Sequence, residues 1–145
     1  MASTVGARTG MQGVFLVAAE LAKRDFIVSV TSRNAFGADL LITDQACQKA
    51  WSVQVKTNRK NASFWLVGKH ASTLVSPHHV YVLVNLRGEE RPDCYILPSE
   101  ELAGLVRTEE RPNSTFYFVN RNDVKKYQGE WGPFGNPASE VARRI

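Results

Sequence analysis

The sequence predicts an α/β domain with a mixed central β-sheet flanked by helices. Three observations carry that prediction. A run with helical apolar spacing at residues 11–24 precedes every strand signal, short β-prone runs follow it, and a further segment at 79–86 is apolar on both faces. The order helix, three strands, weak helical segment, then strands and a helix fits helices packed on a mixed sheet. At 145 residues and 43% hydrophobic content, one domain with a real core is expected over 1–145, its first ten small and polar residues forming a flexible arm.

In the first helix, Val14, Val17, Ala18 and Leu21 share a stripe, and Asp25 marks its end. Residues 26–31 are aromatic and β-branched and read as a strand, and 32–37 form a loop around Arg33, Asn34 and Gly37. Residues 38–43 and 50–57 follow as two strands that pair most simply as an antiparallel hairpin, with Lys49 in the connection. Residues 64–67 form a short strand or a bulged extension, and 71–76 a short helix or turn ended by Pro77. The central strand at 79–86 turns through 87–93 into a further strand at 95–98. Ser99 caps a helix reaching about Val106, with Glu100 and Glu101 at its positive end. A strand at 115–119, at most a short helix at 123–127, and a structured loop at 131–137 that covers the open edge of the core complete the chain.

The formal charge of +4 permits an acidic partner without requiring one. Its distribution is more informative. No acidic residue lies between Asp44 and Glu89, while Lys49, Lys56, Arg59, Lys60, Lys69 and Arg87 all do. That stretch favours phosphate if its side chains share a face, and is a solvated basic surface if they do not. Cys47 and Cys94 lack metal-ligand spacing and read as reduced thiols of a cytoplasmic protein. Residues 16–22 are too short an apolar run to cross a bilayer, so no membrane association is expected. His78 and His79 have no third ligand at zinc spacing and read as strand-entry residues.

The chemistry concentrates in 37–57. Asp39 opens one apolar strand; in the next, Trp51, Val53 and Val55 share one face and Ser52, Gln54 and Lys56 the other. A carboxylate, an amide and a lysine so placed supply hard oxygen ligands and a cation, the needs of metal-dependent phosphodiester hydrolysis. Each residue also has a plainer role: Asp39 as a turn residue, Lys56 as a solvated lysine guarding an edge strand.

The runs Gly37-Ala38-Asp39-Leu40-Leu41-Ile42 and Val53-Gln54-Val55-Lys56-Thr57 resemble the restriction-endonuclease-like PD-(D/E)xK superfamily, in particular its Gln-x-Lys members among the intron homing endonucleases, and the Holliday-junction resolvases. The likeness covers roughly residues 11–98. It implies a restriction-endonuclease-like core in which Asp39, Gln54 and the main-chain carbonyl of Val55 hold Mg²⁺ or Mn²⁺. It further implies that Lys56 positions or activates the attacking water and stabilises charge on the phosphate. Many members carry Gly-Glu early in the first helix; here the matching pair is Gly13-Val14. Glu20 is the substitute carboxylate, although it lies about 120° around the helix from Val14. Its plainer role is an ion pair with Arg24.

Thr57, Arg59 and Lys60, with Arg33 and Asn34 from the preceding loop, are the expected nucleic-acid contacts. Trp65 reads as core, with base stacking as its functional alternative. The leading expectation is a DNA endonuclease, acting as a homodimer if both strands are cut. The alternatives are an inactive nuclease-fold protein that binds nucleic acid or serves as an assembly subunit, and a protein-interaction domain.

Overall fold

The apolar stripe of the first helix is buried where its spacing places it. In a computed structural model, which describes residues 4–32 and 35–135, helix α1 spans Thr4–Lys23 and buries Gly13, Val14, Val17 and Leu21. The helix begins at Thr4, so residues 4–10 are helical and not a flexible arm; 1–3 lie outside the described residues. That extension is mostly exposed and contains Gly6 and Gly10, so no apolar periodicity announces it. At the other end Asp25 takes a φ of 70°. Its N–H donates to the Ala22 carbonyl (3.0 Å) and that of Phe26 to the Leu21 carbonyl (3.1 Å), closing the last turn and directing Phe26 into the core.

The main sheet contains β1 (Ile27–Val30), β2 (Leu40–Thr43), β3 (Ala50–Asn58), β5 (His79–Arg87) and β6 (Glu90–Pro98), in the order β1-β2-β3-β5-β6. Only β3 and β5 run parallel, so the sheet is mixed, as the sequence predicts. One face packs under α1, where Val14, Val17 and Leu21 meet Leu40, Ile42, Val53, Val55, Val82 and Val84. Phe134, in the turn Gly132–Phe134, closes this layer edge-on against Phe26 and Trp51, the covering role expected of that loop.

The opposite face is covered differently from expectation. Residues 64–66 and 114–120 do not join the central sheet. They form β4 (Phe64–Leu66) and β8 (Ser114–Asn120) of a second, three-stranded sheet whose other edge is β7 (Arg107–Arg111). Trp65 and Val119 turn inward to pack with Tyr81, Leu83, Tyr95 and Leu97, and the Trp65 indole N–H donates to the Val84 carbonyl (3.0 Å). Trp65 is therefore core, with no face to offer a base. Helix α2 is short, Ser99–Ala103, and Ser99 does not cap it. The Ser99 hydroxyl donates to the Ser76 carbonyl (2.9 Å) and accepts the Ser76 N–H (3.0 Å), latching the chain ahead of β5 to the start of α2. Residues 69–72, 121–123 and 125–127 form single 3₁₀ turns. Among the described residues, no helix is long and apolar enough to cross a membrane.

Candidate functional site

Asp39 is held by the strands on both sides of it. Its N–H donates to the Val53 carbonyl (2.8 Å), its carbonyl accepts the Thr31 N–H (3.0 Å), and the Thr31 hydroxyl spans the loop to the Ala38 carbonyl (2.7 Å). Regular pairing of β2 with β3 stops at Leu40 and Val53, so further along β3 the side facing β2 lacks a strand partner. The Asp39 carboxylate takes that place: Oδ2 accepts the Val55 N–H at 2.8 Å and Gln54 Nε2 at 2.9 Å. The main chain thus fixes where the carboxylate sits, and the amide fixes how it is turned.

Ser52, Gln54, Lys56 and Asn58 follow on the face of β3 turned away from α1, as strand alternation requires. Parallel pairing sets Gln54 beside Tyr81 and Lys56 beside Leu83, two buried residues of β5. This apolar floor lowers the Lys56 pKa below the ordinary lysine value by burial, and the Asp39 charge works in the opposite direction. The structure therefore brings Asp39, Gln54, Val55 and Lys56 together.

The other expected site residues divide. Glu20 is ion-paired with Arg24 at 2.6 Å, and Arg24 also stacks on Trp131, so the carboxylate takes its plainer role. The helix position that faces Asp39 is Val14: Met11, Val14, Val30, Thr31, Ser32 and Asp39 line one cleft of about 390 Å³. Thr57 points under α1 with its hydroxyl buried, so the expectation that it contacts phosphate is corrected; alternation turns it away from Lys56. Arg59 and Lys60 are exposed beyond the end of β3. Arg33 and Asn34 lie outside the described residues. Among the described residues there is no group of three or more His, Cys, Asp or Glu able to hold a metal.

Sequence reasoning missed a buried amide cluster. Asn85, wholly buried in β5, accepts Asn58 Nδ2 at 3.0 Å and donates to Asn61 Oδ1 (3.3 Å) and to the Ala62 carbonyl (2.9 Å). Arg121 also donates to Asn61 Oδ1, at 2.8 Å. The available signal was a lone asparagine in an otherwise apolar strand, since a buried amide must find partners.

His79, at the start of β5, is buried, with Nδ1 2.6 Å from the Ser52 hydroxyl. Burial lowers its pKa more than the hydrogen bond to the Ser52 backbone raises it, and Nε2 has no hydrogen-bond partner among the described residues. The folded protein therefore binds a proton here less readily than the unfolded chain, and stability falls as pH drops below the ordinary histidine value of 6.5. Urea titrations between pH 7.5 and 5 should show this loss, and a His79→Gln variant should flatten it. An equally steep profile in the variant would assign the loss to other groups.

No family model and no curated protein matches the sequence. Solved structures do. The chain is similar to the bacterial homing endonuclease I-Ssp6803I, with a TM-score of 0.55 and 16% identity over 99% of each chain. It is also similar to Hjc, a Holliday junction resolvase from the archaeal hyperthermophile Archaeoglobus fulgidus, with a TM-score of 0.50 and 11% identity over 81% of this chain and 88% of that one. The fold is restriction-endonuclease-like. Within this restriction-endonuclease-like core, Asp39 precedes the second strand and Gln54 and Lys56 lie on the third, while Val14 faces the cleft from the first helix.

Proposed function

We propose that this chain is a metal-dependent endonuclease that hydrolyses DNA phosphodiester bonds, acting as a homodimer where both strands are cut. The observation that carries the reading is Lys56, half-buried over an apolar floor, its pKa lowered by burial and opposed by the charge of Asp39. An ammonium so placed gives up its proton more readily than a solvated lysine, and while protonated attracts a phosphate oxygen strongly. Asp39, the Gln54 side-chain oxygen and the Val55 carbonyl are the oxygens that would hold Mg²⁺ or Mn²⁺. One carboxylate and two neutral oxygens suit an ion that keeps phosphate and water as its remaining ligands. Bound there, the ion would polarise the phosphate and lower the pKa of a coordinated water.

This chain's residues supply the rest. Gln54 and the Val55 N–H hold the Asp39 carboxylate in one orientation. Lys56 orients the water and stabilises the charge that builds on the phosphate oxygens as the new P–O bond forms and the old one breaks. The leaving oxygen takes up a proton.

A second reading, a protein of this fold that binds nucleic acid without cutting it, is favoured by Val14, which places an apolar side chain in the cleft beside Asp39. One assay separates the two. Purified protein should nick supercoiled DNA with Mg²⁺ or Mn²⁺ and not with chelator, and Lys56→Ala and Asp39→Ala should each lower the rate at least about 100-fold. Metal-dependent nicking that survives in both variants would remove this site from the reaction. Binding with no nicking under any metal would establish the second reading.

A further inference from the structure

Beyond Lys56, the end of the main sheet carries a second concavity. The connection from β3 to β4 and the turn from β5 to β6 emerge side by side, because Asn58 lies opposite Asn85 in the parallel pair. Between them is a cleft of about 650 Å³ lined by Arg59, Lys60, Asn61, Arg87, Gly88 and Glu90. Its basic wall is anchored from below. Asn85 holds Asn61 and Ala62, Asn58 Nδ2 donates to the Phe64 carbonyl (2.7 Å), and the Arg121 N–H donates to the Ser63 carbonyl (2.8 Å). The Arg121 guanidinium, bonded to Asn61, adds a further cation at that wall. The opposing charge is Glu90, 2.7 Å from Arg87, with Asp93 at 3.8 Å. Four cations thus meet two carboxylates, and the β3–β4 connection cannot swing away without breaking a buried amide cluster.

We propose that this cleft grips the phosphodiester backbone of DNA beside the phosphate at Lys56. Arg59, Lys60 and Arg87 contact the strand from a connection held by the hydrogen bonds of Asn85 to Asn61 and Ala62. Arg59 is three residues beyond Lys56, just past the end of β3, a reach of about 10 Å for extended chain. Concavity favours a strand running through over a flat basic surface, and the cations attract the backbone without reading sequence. The inference rests on the nuclease reading of Lys56 for the position of that first phosphate, while its test does not depend on cleavage.

Binding of a fluorescent DNA duplex is measured by anisotropy in chelator across a series of salt concentrations. The wild-type protein is compared with Arg87→Ala, the Arg59→Ala/Lys60→Ala pair and Glu90→Gln. The slope of log affinity against log salt should fall by about one for Arg87→Ala and about two for the pair. Glu90→Gln, which removes the competing carboxylate without deleting a cation, should tighten binding about threefold. Unchanged slopes in both cation variants, or no salt-dependent binding by the wild-type protein, would overturn the inference. Nicking measured separately with metal decides the nuclease reading, so each can fail without the other.

Discussion

A Gln54→Glu variant should bind Mg²⁺ at least about tenfold more tightly than the wild-type protein, because it replaces a neutral ligand by a charged one beside Asp39. The same change should destabilise the metal-free protein by about 1–3 kcal/mol. The Nε2 donor to Asp39 Oδ2 is lost, and a second negative charge arrives within reach of the first. Metal and fold therefore become coupled: the variant's unfolding midpoint should rise with Mg²⁺ much more than that of the wild type. Calorimetric titration gives the affinity, and thermal melts with and without Mg²⁺ give the coupling. Equal Mg²⁺ response in the two proteins would show that position 54 does not face the ion, leaving Gln54 as a clamp on Asp39 alone.

Gly13→Ala should be the most damaging one-methyl change in the first helix. A Cβ at Gly13 would overlap the Thr57 hydroxyl and lie 2.8 Å from the Thr57 Cβ and 2.9 Å from its methyl. Helix and strand must then separate, with an expected loss of about 3 kcal/mol and of about 8 °C in Tm. Gly10→Ala on the same helix meets nothing within 4 Å and should instead stabilise by about 0.5–1 kcal/mol. Adding Thr57→Ala to Gly13→Ala should recover part of the loss, since it removes the hydroxyl and methyl but leaves the Cβ. Gly13→Ala as stable as Gly10→Ala would contradict the packing described. The contact also sets how closely α1 approaches β3, and with it the depth of the cleft between Val14 and Asp39.

The parts of this molecule legible in the sequence are those fixed by short-range pattern. The stripe of α1, the antiparallel β2–β3 pair and the doubly apolar β5 all follow from periodicity and burial. The juxtaposition of Asp39 with Gln54 was legible for the same reason, since one hairpin with one register brings them together. β7 was not legible. Its residues, Arg-Thr-Glu-Glu-Arg, are all exposed and carry no apolar alternation, and the strand exists because β8 supplies a ladder and Asp123 anchors Arg107. The second sheet stayed hidden because strand signals in 64–67 and 115–119 say nothing about which sheet they join. The buried Asn85 cluster depends on contacts that no local pattern encodes, including one between Asn61 and Arg121 across 60 residues of chain. Glu20 illustrates the opposite case: its i,i+4 partner Arg24 was visible in the sequence and claims it in the structure.

The place of β3 between an antiparallel and a parallel neighbour has a consequence for folding. Asp39 and Gln54 are 15 residues apart and meet within a hairpin, whereas Asn58 meets Asn85 across 27 residues and only once β5 has docked in parallel. Contacts of such different span close at different loop-entropy cost. The oxygen-bearing half of the site can thus assemble from local chain alone, while the basic wall is completed by the slowest pairing in the sheet. A slip of one residue in that pairing would exchange the two faces of β5, turning Tyr81 and Leu83 away from the Gln54 and Lys56 side of the sheet and toward α1. Docking of β5 in the correct register is therefore the folding event that both completes the molecule and arms it.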